Sequence, residues 1–183
     1  MEETGYQPNV FARGLGLNTM NTVGVMCADS SDMVLASAVY HVEQELHKYQ
    51  YDVLLCCTGY ETEEKAKYMN LLLSKRVDAL ILVGSSFIEK NMEKNQYIIE
   101  AAKEVPVMLV NAYLDAPNVY CAVCDDRTMM RQVTREFLEH KRQILYLYRS
   151  LSYSGRQKLQ GIKDAFKDCG QKPEKDQMVL MKD

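Results

Sequence analysis

The sequence predicts an α/β protein built from doubly wound parallel sheets in two lobes, the second of them incomplete. Three observations lead there. Short apolar runs alternate with longer stretches whose apolar residues recur at helical spacing. The apolar runs are nearly continuous rather than alternating, as strands covered on both faces require. A proline-containing polar loop at Asp115–Asn118 interrupts the succession, which resumes after Cys124. Right-handed crossovers then wind each sheet.

The elements follow in order. Thr22–Cys27 reads as a buried strand, and Met33–Tyr49 as a helix with Leu35, Ala38, Val39, Val42 and Leu46 on one side. Tyr51–Cys57 is a second strand, followed by a helix over Glu61–Lys75 with Ala66, Met69, Leu72 and Leu73 facing inward. Ala79–Gly84 is a third strand, Ile88–Lys103 a third helix, Val107–Asn111 a fourth strand and Val119–Cys124 a further short one. Beyond them, Thr128–His140 and Gly155–Cys169 are helical, and Ile144–Tyr148 and Met178–Met181 are strands. The expected division is a linker segment over 1–21, a first lobe over 22–124 and a partial second lobe over 125–183. Two strands and two helices bury little on their own.

Composition narrows the function classes. The chain has 183 residues, 47% of them hydrophobic, which suits a packed domain rather than a disordered one. No run reaches the roughly 18 apolar residues of a membrane helix. The acidic, polar start Met1-Glu2-Glu3-Thr4 is unlike an export signal, so a cytoplasmic location is expected. A net charge of −3 argues against a large nucleic-acid surface on the body of the chain. The six cysteines read as small core residues in a reducing compartment. Cys121-Ala-Val-Cys124 has redox or metal spacing but no second pair and no nearby histidine pair, and Cys56 and Cys57 would point to opposite faces of a strand. His41, His47 and His140 are scattered, so neither a metal nor a cofactor is expected.

In open parallel sheets, ligands bind outside the carboxyl ends of the strands. Those ends are Asp29-Ser30-Ser31-Asp32, Thr58-Gly59, Ser85-Ser86, Asn111 and Asp125-Asp126. Hydroxyls, carboxylates and an amide suit a neutral polyol or a base. Any one of them also suits a turn or a helix cap: Asp32 or Ser31 for the first helix, Asp125 or Asp126 for the helix that follows.

Gly5-Tyr6-Gln7-Pro8-Asn9-Val10-Phe11-Ala12-Arg13-Gly14-Leu15, then Val23-Gly24-Val25 with Asp29, open an ordered set of segments. The set resembles the lactose- and purine-repressor (LacI/GalR) family of transcription regulators, the first segment being similar to its hinge and the second to its first strand. Leu72-Leu73-Ser74-Lys75-Arg76-Val77-Asp78-Ala79, Pro106-Val107-Met108-Leu109-Val110-Asn111, Val123-Cys124-Asp125-Asp126 and Gly161-Ile162 with Ala165-Phe166 follow in the family's order. Four places depart from it: Asp32-Met33-Val34 for Asn-Pro-Phe, Ala79 for a glycine, His140-Lys141 for Gly-His, and Lys158 for an arginine. The last replaces a planar fork with a point charge.

The resemblance implies a two-lobed fold of the type I periplasmic-binding-protein kind. It also implies a small-molecule effector of the sugar or purine class, a homodimer paired through the first-lobe helices, and operator DNA bound through a head and hinge. By the same resemblance, Asp125 and Lys158 carry the strongest effector contacts, Val34 and Ser85 line the first-lobe side, and Ser152 and Ser154 face them. Asn9 and Arg13 would contact DNA, with Leu15 as a minor-groove wedge. Taken from the residues alone, Pro8 suits a first helical turn. Gly14 and Gly16 each cost ~1 kcal/mol against Ala in a helix, and so short a helix is marginal, so an ordinary exposed tail also accounts for 1–21. Two alternatives stand beside the regulator. One is a periplasmic-type sugar-binding protein of a transport system, against which the hinge-like segment and the missing export signal speak. The other is an enzyme, for which the chain has no GxSxG, P-loop, HExxH or post-strand GxGxxG.

Overall fold

The computed structural model of the chain describes residues 19–181. Strand β1 (Thr22–Cys27) leads into helix α1 (Met33–Lys48), then β2 (Asp52–Cys57), α2 (Thr62–Ser74), β3 (Ala79–Val83), α3 (Gln96–Ala102), β4 (Val107–Val110) and β5 (Val119–Ala122). These strands form one sheet in the order β2-β1-β3-β4-β5, parallel throughout. The chain reverses its direction of travel across the sheet between β1 and β3, which makes their carboxyl ends the switch point where such sheets bind ligands.

Strand alternation distributes the core to two faces. Met26, Leu80, Leu82 and Leu109 meet Met69 and Leu72 of α2 and Ile98 and Ala101 of α3. Val23, Val25, Cys27 and Val83 face the other way, under Leu35, Val39, Val42 and Leu46 of α1. The second face is the thinner one, since α1 has no fully buried residue.

Helix ends follow local chemistry. Asp32 accepts from Val34 N and Leu35 N and so starts α1, while Glu63 and Glu64 oppose the positive end of α2. Gly84 at φ 120° turns β3 directly into a 3-10 turn at Ser85–Phe87, a conformation that favours glycine. The helix expected over Ile88–Lys103 is shorter. A 3-10 turn occupies Met92–Asn95 and α3 begins at Gln96. The cause is the buried Asn95, whose amide accepts from Glu89 N at 2.8 Å and donates to Glu89 O at 3.0 Å, holding the intervening residues as a loop.

After β5 come α4 (Asp126–Glu139), β6 (Tyr146–Tyr148), α5 (Tyr153–Asp168), a 3-10 turn at Lys175–Gln177 and β7 (Met178–Leu180). β6 and β7 pair in parallel as a separate two-stranded sheet. α4 and α5 pack closely because Gly161 has no side chain: a Cβ there would collide with the backbone of Arg127 and Arg131. Arg127–Asp164 and Arg131–Asp168, both at 2.6 Å, fix the relative register of the pair.

Candidate functional site

The parallel sheet places Asp29 after β1, Ser85 after β3 and Asp125-Asp126 after β5 along the same carboxyl edge. The start of α5 comes up against this edge. Ser85 Oγ donates to Ser152 Oγ at 2.8 Å, joining the turn after β3 to the N-terminus of α5. Ser152 also caps α5 by accepting from Gly155 N at 3.3 Å. Ser154 and Lys158 stand four residues apart, hence on one face of α5, and both reach Asp126 in the first turn of α4. Ser154 Oγ donates to Asp126 Oδ2, and Lys158 Nζ lies 3.6 Å from Asp126 Oδ1. The Asp126 side chain is 14% exposed and that of Lys158 40%.

The start of α5 thus carries two adjoining contacts, Ser85 with Ser152 and Asp126 with Ser154 and Lys158. The other two candidates, Asp125 and Val34, make neither contact. Asp125 accepts from Thr128 N at 3.0 Å as the α4 cap, and that bond holds its carboxyl below the usual range. Val34 is 77% exposed on the first turn of α1. Asn9, Arg13 and Leu15 lie outside the described residues. Among the other strand-end residues, Asp32 is occupied as the α1 cap, and Thr58 is buried with its hydroxyl donating to Gly59 O at 2.9 Å. Asp29 accepts from Ser31 N and Ser31 Oγ at 2.8 and 2.7 Å, which lowers its pKa.

The sequence left Asp125 or Asp126 as the α4 cap, and the structure gives that place to Asp125, while Asp126 meets α5. The signal was present in the spacing Asp125-x-x-Thr128. A carboxylate at the cap position turns back onto the third helical N–H, and the next acidic residue meets Ser154 and Lys158 of α5.

Lys65 was missed altogether. Its side chain is 1% exposed; Nζ donates to Ser86 O at 2.7 Å, lies 3.9 Å from Glu89 Oε1 and sits over the Phe87 ring at 5.7 Å. It holds the loop that presents Ser85. Nothing in a helical stretch rich in lysine and glutamate marks one lysine as buried. A cavity of ≈ 230 Å³ opens beside it between the two parts of the chain, lined by Tyr60, Lys65, Ser86 and Glu89 on one side and Ser150, Ser152 and Arg156 on the other. A larger hollow of ≈ 550 Å³ lies along α4 at Arg131, Arg135 and Glu139. It does not include the residues at the strand ends, and its lining is surface charge.

Chemically the cluster offers one carboxylate, one ammonium and several hydroxyls. That set accepts from and donates to a hydroxyl-bearing or heterocyclic ligand. Burial and the Asp126 charge raise the pKa of nearby Tyr146. Among the described residues no group of three or more His, Cys, Asp or Glu side chains is arranged to hold a metal ion. No helix among them is long and apolar enough to cross a membrane.

Known proteins share this architecture. An HTH-type transcriptional regulator of Lachnoclostridium phytofermentans is 60% identical over 166 residues, covering 90% of this chain and 50% of that protein. The HTH-type transcriptional repressor PurR of Aliivibrio fischeri is 29% identical over 118 residues, covering 64% of this chain and 34% of that protein. The chain therefore spans about half, or less, of the length of these curated relatives. Among solved structures, the Lac repressor bound to ONPG in the repressed state superposes with a TM-score of 0.78 at 18% identity, covering 94% of this chain and 52% of the other. The Escherichia coli transcriptional repressor ascG gives 0.69 at 21% identity, covering 87% and 58%. At such identities the likeness carries the fold. The family described as "Periplasmic binding proteins and sugar binding domain of LacI family" matches residues 20–183, and the chain belongs to it.

Proposed function

We propose that this chain is the ligand-sensing core of a DNA-binding transcription regulator, in which a small molecule of the sugar or purine class binds between the strand ends and α5 and alters operator binding. The observation that carries the reading is the Ser85–Ser152 bond, which joins residues 22–124 to residues 125–183 at the carboxyl edge, beside the cluster of Ser154 and Lys158 on Asp126. A ligand there touches both lobes, so it favours one lobe arrangement by its difference in affinity for the two. The names carried by the relatives favour a regulator over an exported transport protein, and the site is one of binding rather than catalysis.

The division into 1–21, 22–124 and 125–183 belongs to this proposal, as does a cytoplasmic location. So does a hinge in which Asn9, Arg13 and Leu15 meet operator DNA. Effector contact is assigned to Ser85, Ser152, Ser154 and Lys158 with Asp126, and Val34 and Asp125 are placed at the rim. A homodimer formed through the first lobe is supported by the apolar edge of β2, where Leu54 and Leu55 are exposed, and by Leu71 on α2, likewise exposed.

The test is fluorescence anisotropy of the full-length protein on DNA flanking its own gene, with and without members of a panel of sugars and purines. The reading expects saturable binding that at least one compound changes tenfold or more, about 1.4 kcal/mol of coupling. Affinity unmoved by every compound would overturn it.

A further inference from the structure

β1 and β2 run in parallel register, with Cys27 directly beside Cys57 at their carboxyl ends. Register partners on neighbouring strands project to the same face of the sheet, and the two Sγ atoms stand 3.8 Å apart. Cys27 is wholly buried under that face and Cys57 is exposed. Cys56 belongs to the opposite face, packed against the other core. One accessible thiol therefore backs onto one shielded thiol, at a spacing that modest side-chain rotation converts into a bond within the Cα separations disulfides tolerate.

We propose that Cys27 and Cys57 form a reversible thiol pair, closed by a peroxide into a cross-strand disulfide at the carboxyl edge of the sheet. The Cys57 thiolate attacks hydrogen peroxide, giving the sulfenic acid and, with a proton, one water. Cys27 sulfur then attacks the Cys57 sulfur; the S–S bond forms, and the hydroxyl leaves with the Cys27 proton as a second water. The peroxide is reduced by two electrons and the two thiols are oxidised by two. Exposure makes Cys57 the point of entry. Burial, and then the hydrogen bond with Cys57, push the Cys27 thiol up to about 12, so the closing attack by Cys27 quickens as pH rises. The bond would fasten the start of the Ala28–Asp32 rim, since Cys27 O already accepts from Thr58 N at 2.9 Å and Gly59 N donates to Ala28 O at 2.9 Å.

The experiment treats the reduced, folded 183-residue chain with hydrogen peroxide. Free thiols are then blocked with iodoacetamide, and intact mass and non-reducing peptide maps are recorded. The expected result is loss of two hydrogens and a Cys27–Cys57 linked peptide, reversed by dithiothreitol and formed faster at higher pH. Cys27→Ser should leave Cys57 as a sulfenic acid that dimedone traps, and Cys56→Ser should leave the link intact. The proposal is overturned if Cys57 proceeds to the sulfinic acid while Cys27 stays alkylatable, or if the link joins Cys57 to another cysteine or to a second chain.

Discussion

Burying an ammonium group is costly unless its donors are satisfied and a counter-charge is near. Lys65 meets the first condition better than the second: it has a carbonyl at 2.7 Å and a carboxylate only at 3.9 Å. Desolvation accordingly lowers its pKa below the ordinary 10.5. The sign of the stability effect follows. Between the lowered native value and 10.5 the unfolded chain binds more protons than the folded one, so stability rises with pH across that window. Lys65→Met should remove this rise. Urea unfolding of both proteins at a series of pH values from neutral upward checks it; parallel pH dependences would show that Lys65 titrates normally. The same lysine bears on the site, because its grip on Ser86 O fixes the turn that offers Ser85 to Ser152.

At the scale of elements, α4 and α5 act as one body that carries Asp126, Ser154 and Lys158. Their closeness depends on Gly161, where any side chain would meet the Arg127 carbonyl. Gly161→Ala should force the helices apart and destabilise the chain by about 1–3 kcal/mol, the usual cost of overpacking a close contact. A urea midpoint equal to that of the parent would contradict the packing described. The elements themselves were legible in the sequence wherever apolar periodicity was strong. Thr22–Cys27 is the strand expected, and the helix at Met33 starts where Asp32 can cap it. Legibility failed at Ile88–Lys103, because the side chain of Asn95 competes for the backbone of Glu89 and pattern alone does not reveal such a bond. For the site, the strand ends were readable from topology, whereas Ser152, Ser154 and Lys158 came only from the family resemblance. Which of two adjacent aspartates caps α4 was a matter of cap geometry, and the burial of Lys65 depends on tertiary packing that local sequence does not encode.

Across the whole molecule, the turn after β3 meets the start of α5 through a polar contact, the Ser85–Ser152 pair, while the Asp126 carboxylate ties α4 to α5 within the second part. On the function proposed above, a ligand's own hydroxyls would replace the Ser85–Ser152 contact, and hinge closure between the two parts would follow at modest cost. On the same proposal, Lys158 would deliver its charge to a ligand hydroxyl as a point rather than as a bidentate fork. The measurement that bears most directly on this account is a thermal-shift screen of the full-length protein against sugars, purine bases and nucleosides, run in parallel on Asp126→Asn and Asp125→Asn. At a hundredfold excess over Kd a bound effector contributes about 2.7 kcal/mol, which raises the melting temperature by several degrees. The account predicts such a rise for the parent, its retention in Asp125→Asn and its loss in Asp126→Asn; a rise that survives in Asp126→Asn and disappears in Asp125→Asn would contradict it.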